Sequence, residues 1–384
     1  MRRLDVAIVG AGVAGLLTAL HLTRNRKAGN IAVFERRPPR YIPRKHCAGI
    51  VSRNTLERLP FASKFVEQYY SSVKIYVLSG LELELVFDRR AILKIDRVGH
   101  ERYLIERLSG AGIDMKFGTA VNSLEKSPRG YRVRTSMATS LEYDAVVVAE
   151  GYPPRLSRKL GFKARLEPFR GLQQDVVLGN RLRYEGSESL YVLLGFSDGG
   201  FAWFVPVSEK SAVVGIATRG RAPTELEHVK KFFEKMLALE IIGRGDIYGG
   251  TVLRGCPLEP CSKGALGIGD SVGMVKSLSG GGLYPISIVS EIYGNNIHRP
   301  DRVKKLVKQI VRELRTQYNI YRISRLFLGM GLGRLLPLKR AVVEIGNSYF
   351  YDHHEKILAK LFTGVGSVAR RRPGYYQVGS CLGK

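Results

Sequence analysis

The sequence predicts an α/β protein in which a Rossmann-like dinucleotide-binding domain is interrupted by an antiparallel β-sheet domain and followed by a helical C-terminal region. Three observations predict it. Asp5-Val-Ala-Ile-Val-Gly10-Ala-Gly12-Val-Ala-Gly15 reads as strand, glycine turn and helix. Far downstream, Gly269-Asp270 precedes Ser279-Gly-Gly-Gly282, a second glycine turn ahead of a helix. Residues 166–217, between the two, are rich in valine and aromatic runs of the kind that form strands.

Each element follows from local chemistry. Residues 6–9 are a short apolar run, as a buried parallel strand requires. Gly10 permits the tight turn, Gly12 lets the backbone approach a pyrophosphate, and Gly15 lets helix pack closely on strand. The helix over residues 16–22 offers its N-terminus to phosphate. A second strand, 31–34, ends at Glu35, 20 residues past Gly15, where a ribose hydroxyl acceptor is expected. Arg36-Arg37-Pro38-Pro39 breaks into a loop that runs through Lys45-His46-Cys47-Ala48-Gly49, and a helical stretch begins near Asn54. Residues 73–78 and 82–88 read as a hairpin around Ser79-Gly80-Leu81, and 91–96 as another strand, followed by Arg97 and a helix over 100–109. Strands are expected at 113–117, 131–135, 141–143 and 144–149, an amphipathic helix at 224–239, a last strand at 266–269 and a helix at 283–293. The nucleotide domain is then discontinuous, over residues 1–70, 92–165 and 250–298. The β-rich domain takes 71–91 and 166–249, and a basic helical region takes 299–384.

Composition narrows the class. Hydrophobic residues make up 45% of the 384, enough for a large core. No run of about 18 apolar residues appears, so no spanning helix is expected. Met1-Arg2-Arg3-Leu4 leads straight into the first strand without a signal peptide, which points to a cytoplasmic protein. Lys and Arg number 61 against 34 Asp and Glu, a net charge of +27 that attracts anionic partners. No zinc-finger spacing, RNA-recognition signature or basic arm is present, so nucleic acid is not the expected partner. Residues 299–384 carry 18 Lys/Arg against 5 Asp/Glu, a net +13. There, apolar residues among Arg and Tyr fit either a peripheral contact with an anionic membrane surface or a core-facing helix with a solvated basic side. Gly329-Met-Gly331-Leu-Gly333 follows a helical pattern and reads as a bend or helix packing rather than a second nucleotide loop. Four cysteines do not make a disulfide framework; Cys256 and Cys261 read as ordinary thiols or one local disulfide. The histidines form no ligand cluster, and no metal is expected.

Four segments together carry a resemblance. They are the N-terminal fingerprint, the Lys45-to-Gly49 loop, Phe201-Ala-Trp203-Phe-Val205-Pro206 with Gly215-Ile-Ala217, and Gly269-Asp270-Ser-Val-Gly273 through Ser279-Gly-Gly-Gly282-Leu283. In their order over residues 1–298 the chain resembles the geranylgeranyl reductase family, and within it the archaeal digeranylgeranylglycerophospholipid reductases, flavoproteins of the p-hydroxybenzoate hydroxylase fold. The resemblance implies FAD, held by Gly10, Gly12, Ala14, Gly15, Glu35, Arg36, Cys47, Ala48, Gly49, Arg97, Ala120, Asp270, Gly281, Gly282 and Leu283. It implies a substrate cavity at Phe201, Trp203 and Pro206. Cys47 would lie along the flavin, as a proton donor, a redox thiol or a small wall residue. Departures fall at Phe201, Val205 and Ala217, where the family has Tyr, Phe and Gly. Ser277 stands where it usually has Pro, and Glu150-Gly151 where relatives carry Asp-Gly.

The implied activity is FAD-dependent saturation of geranylgeranyl double bonds in archaeal ether lipids. The alternative is an FAD-dependent monooxygenase of the same fold. The implied partners are an isoprenoid lipid and an external electron donor such as NADPH or ferredoxin. The implied location is the cytoplasm or the inner face of the cell membrane.

Overall fold

A computed structural model describes residues 3–25, 28–43, 45–182, 184–262, 264–329 and 340–357. The apolar run at the N-terminus is buried on both faces, with Val6, Ala7 and Ile8 fully excluded from solvent. That burial requires a strand flanked by partners, and the six-stranded sheet supplies them. Leu4–Val9 lies between Ala28–Glu35 and Ala145–Val148, all parallel. Asp114–Phe117 extends the sheet on one side and Ala265–Gly267 on the other, with Cys261–Ser262 antiparallel at the edge. Helices Val13–Arg24, Arg97–Gly110 and Leu283–Asn296 pack together beside this sheet.

An eight-stranded sheet forms the second layer. Its order is Ile241–Glu259, Lys163–Leu178, Ser211–Thr218, Phe201–Ser208, Ser189–Leu194, Ser72–Val77, Glu82–Phe87 and Arg340–Gly346. The first two strands pair from Lys163↔Glu259 to Leu178↔Ile241, one long ribbon with register shifts near both ends. The boundaries expected near 165 and 250 fall inside that ribbon, because the two domains share strands rather than a linker. Helix Ala222–Leu237 covers one face, with Leu226, Val229 and Phe233 packed against Phe204, Val214 and Ile216.

Two differences from the sequence reading have local causes. Val121–Lys126 is a strand of a three-stranded meander that its polar sequence did not announce. In the C-terminal region, helix Pro300–Gly329 is followed by the strand Arg340–Gly346, parallel to Glu82–Phe87. The strand departs from the expected helical region because Val342, Val343 and Ile345 are β-branched residues that suit a sheet edge. Gly331 to Gly333 and Cys381 lie outside the described residues.

Candidate functional site

The carboxyl ends of the parallel strands converge on one crease. The Gly10 amide donates to the Phe34 carbonyl (2.8 Å), Ala149 to Val9 (2.8 Å) and Ile268 to Val148 (3.0 Å), so three strand ends lie side by side. Gly10 turns with φ +110°, and a methyl group at Gly15 would overlap the Gly10 carbonyl oxygen. A methyl at Gly12, by contrast, would meet nothing within 4 Å. The turn is therefore closed on its inner side and open at the helix start, where first-turn amides have no intrahelical acceptor. Glu35, buried at its strand end, accepts from the Ala11 amide at 3.0 Å and from the Arg37 amide at 3.0 Å. Gly269 closes the crease from the other half: a methyl there would lie 3.2 Å from the Ala14 side chain.

Arg97, Asp270 and the Cys47 loop meet in the same crease although their sequence positions are far apart. Arg97 is in the first turn of its helix and pairs with Glu101. Burial opposes its charge, but Glu101, Cys47 and Asp270 outweigh burial and hold its pKa above the usual arginine value. Burial raises the Asp270 pKa, with His46 and Arg97 pulling the other way. Cys47 is exposed, and its Sγ accepts the Gly49 amide at 3.4 Å. Ala48 is half-buried, while Gly49 is buried and receives the Ile95 amide at 2.9 Å. Of the other expected ligands, Arg36 is exposed, and the Ala120 amide and carbonyl both bond to Ser136. Glu150 caps the short helix Leu156–Lys159, accepting from Leu156 at 3.0 Å and Ser157 at 2.7 Å.

The loop before Gly281, Gly282 and Leu283 is clamped from two sides, by residues that the sequence reading missed. Helix Leu283–Asn296 starts after Gly282, and Lys276 folds back to accept the Gly280 amide and donate to Gly281. The Lys276 ammonium pairs with Asp352 at 2.9 Å, both buried. Asp352 also accepts from Ser52, Asn54 (3.0 Å) and Thr55 (3.1 Å). On the other side Ser277 accepts the Gly255 amide at 2.9 Å, and its carbonyl receives the Arg254 guanidinium. Arg254 is buried between the Phe201 and Tyr321 rings, 4.5 and 4.8 Å from their centroids. It makes no ion pair among the described residues, and burial pulls its pKa down to about 10. Ser277, one of the departures, is thus an anchor whose hydroxyl proline lacks. Asp352 gave no sequence signal; it is 76 residues from Lys276 and follows a 30-residue helix.

The β-sheet presents a small-residue floor to this loop. Cross-strand registers place Trp203, Gly215, Gln173 and Tyr248 in one row, and Phe201, Ala217, Gly171 and Gly250 in the next. Partners in an antiparallel row share a face. The Trp203 indole lies over Gly215, where any side chain would collide with it. Phe201 approaches the glycine turn, 3.7 Å from where a Gly280 methyl would be. At the far end, Lys45 sits 4.4 Å over the Tyr248 ring, and His46 reaches within 4.0 Å of a methyl built on Gly250. A cavity of about 470 Å³ opens there, walled by Phe169, Leu172, Ile247, Tyr248 and Thr251. Pro206 corrects the expectation. It alternates to the opposite face with Ala202 and Phe204, toward helix Ala222–Leu237, so it cannot line the same cavity as Trp203.

With this geometry, the chain matches the family model "FAD dependent oxidoreductase" over residues 5–102. The enzyme is an FAD-dependent oxidoreductase. It is similar to the digeranylgeranylglycerophospholipid reductase of Methanocaldococcus jannaschii, 22% identical across 84% of this chain and 85% of that protein. A digeranylgeranylglycerophospholipid reductase of Methanopyrus kandleri is 26% identical, over 76% of each. Among solved structures, a geranylgeranyl bacteriochlorophyll reductase-like protein of Thermoplasma acidophilum superposes with a TM-score of 0.70 at 18% identity, covering 86% of this chain and 88% of that one. The enzyme has the p-hydroxybenzoate hydroxylase-type fold.

The crease fits FAD on its own terms. The enzyme leaves the helix start at Gly12 sterically open for a pyrophosphate. Asp270 accepts no side-chain hydrogen bond among the described residues, although burial disfavours its charge. A hydroxyl donor would relieve it. Cys256 and Cys261 are both free thiols.

Proposed function

We propose that the enzyme saturates carbon–carbon double bonds of geranylgeranyl chains, in the ether lipids of archaeal membranes. The observation that carries this reading is the apolar sheet face on which Phe201 and Trp203 lie over Ala217 and Gly215, with Gly250 and Tyr248 beside them. A long isoprenoid chain fits a shallow apolar trough whose aromatic walls bury it. The names of the two archaeal relatives point to the same substrate class. Bound FAD supplies hydride chemistry, and its electrons come from an external donor such as NADPH or ferredoxin.

The chain's own residues have separable tasks. Glu35 and Asp270 would accept hydroxyl groups of the cofactor, and Arg97 would neutralise phosphate. The first-turn amides at Gly282 and Leu283, with Gly281, present partial positive charge where negative charge grows. Protonating a trisubstituted alkene leaves positive charge on its tertiary carbon, and water reaching that carbon would trap it as an alcohol. Phe201 and Trp203 would keep the trough dry against that side reaction. Cys47, exposed and engaged by the Gly49 amide, forms part of the wall.

Anaerobically reduced enzyme given a geranylgeranyl lipid should yield products heavier by two hydrogens for each bond saturated, read by mass spectrometry. Unchanged lipid mass would sink the proposal; a hydroxylated product formed with oxygen would make the enzyme a monooxygenase. Cys47→Ala should lower the saturation rate by no more than about tenfold, since a proton donor would cost about 100-fold or more.

A further inference from the structure

The long helix Pro300–Gly329 has one buried side and one bare side. Val303, Val307, Ile310, Leu314 and Tyr321 are buried. At about 100° per residue, Lys305, Lys308 and Arg312 project from the opposite arc and Lys304, Arg315 and Arg322 from the flank beside it, and all six are exposed. Some cations elsewhere are paired, as Arg129 is with Asp5 and Asp144, and on this same helix Arg325 is with Asp198 and Glu167. These six make no ion pair among the described residues. Ile323 and Leu326 continue the same arc at its C-terminal end, 67% and 63% exposed. A solvated surface helix gains nothing from two bare aliphatic side chains in line with its cations. A helix lying on an anionic bilayer uses both: the cations meet the headgroups and the aliphatics enter the acyl boundary.

The placement of this arc adds a second reason. Tyr321 and Arg325, on the turns that carry Ile323 and Leu326, form the wall behind the trough. Tyr321 packs on Arg254, which stacks on Phe201, and Arg325 grips Asp198 beside Gly199. We propose that the exposed face of this helix docks the enzyme on an anionic lipid surface, with Ile323 and Leu326 inserted next to the Phe201 end of the sheet. The proposal rests on the helix face and not on the isoprenoid reading, because docking needs no unsaturated chain. Nucleic acid would meet the cations but has no use for the aliphatic pair.

Co-sedimentation of the full-length, FAD-loaded enzyme with vesicles tests it. The enzyme should bind vesicles in which about a third of the lipid is phosphatidylglycerol, the rest phosphatidylcholine, and leave vesicles of phosphatidylcholine alone. The combined change Lys308→Glu, Arg312→Glu and Arg315→Glu should lower the bound fraction at least about tenfold. Ile323→Asn with Leu326→Asn should leave binding at low salt but abolish what survives at about 0.5 M salt, where charge attraction is screened. Retained flavin absorbance and an unchanged melting temperature show that each variant is folded. Equal binding to both vesicle types, or full binding by the charge-reversed variant, overturns the proposal. So does displacement from vesicles by a random-sequence RNA that binds the aliphatic variant as tightly as the wild type. The vesicles contain no geranylgeranyl lipid, so a negative result leaves the saturation assay standing, and failure of that assay leaves docking standing.

Discussion

Asp352 and Lys276 form a buried ion pair between the C-terminal segment and the loop that opens the flavin-facing helix. Removing one partner strands the other in a dry site, which costs about 3–5 kcal/mol. Asp352→Asn should therefore lower the melting temperature and weaken FAD binding together, measured by thermal melting and flavin titration. Burial alone would raise the Asp352 pKa, but Lys276, Ser52 and Asn54 outweigh it and hold it below the usual 3.8. That stabilisation is present above 3.8 and is lost as pH falls through the lower folded-state value. Unfolding free energies of wild type and Asp352→Asn should accordingly converge at the acid end. Neighbouring His354 titrates in a different window. Burial, with Lys276 adding to it, pushes its pKa from 6.5 down to about 3, so the folded protein keeps it neutral. The unfolded chain takes up that proton below 6.5, and stability falls from there down toward about 3. His354→Gln should flatten the loss between pH 6.5 and 5, by up to about 1.4 kcal/mol per pH unit. Denaturant melts across that range provide the measurement.

Among the elements, the pairing of Phe201–Ser208 with Ser211–Thr218 explains why two aromatics and two small residues occur at their spacing. Phe201 faces Ala217 and Trp203 faces Gly215, so each ring lies over a partner with little or no side chain. Gly215→Val would drive a side chain into the Trp203 indole, at a cost of about 1–3 kcal/mol for such overpacking. The expected outcome is a flavin-loaded enzyme whose KM for lipid rises, seen in steady-state kinetics alongside an unchanged flavin spectrum. Pro206→Ala, on the other face, should leave that KM alone. The motif is legible in the sequence as a unit, but the face that Pro206 takes is not. A proline adjoining an aromatic run draws attention as part of a motif, while period-two geometry sends it into the helix-covered core. The long Lys163–Leu178 and Ile241–Glu259 ribbon is harder to see, because five glycines between Ile241 and Glu259 mask its strand pattern.

At the scale of the molecule, the crease is built from both ends of the chain. Gly10, Glu35, Arg97 and Asp270 come together only when the six-stranded sheet closes, and a cofactor bound there cross-links its halves. FAD removal should consequently destabilise the whole protein, by about 2.7 kcal/mol relative to FAD at 100 times its dissociation constant. Calorimetry of apo and reloaded protein reads that difference. The amino-acid sequence by itself determined the strand–glycine–helix turns, the acid at Glu35, the Asp270 turn and the cofactor class. These are short-range devices, in which residue types a few positions apart dictate a backbone conformation and the ligand it suits. Tertiary structure alone decided that Asp352 and Arg254 anchor the glycine loop, that Trp203 and Tyr248 share one row, and that six unpaired cations lie on the solvent side of a helix with two bare aliphatics. Each of these depends on burial or cross-strand register between distant segments, and neither quantity is a property of any one stretch of sequence.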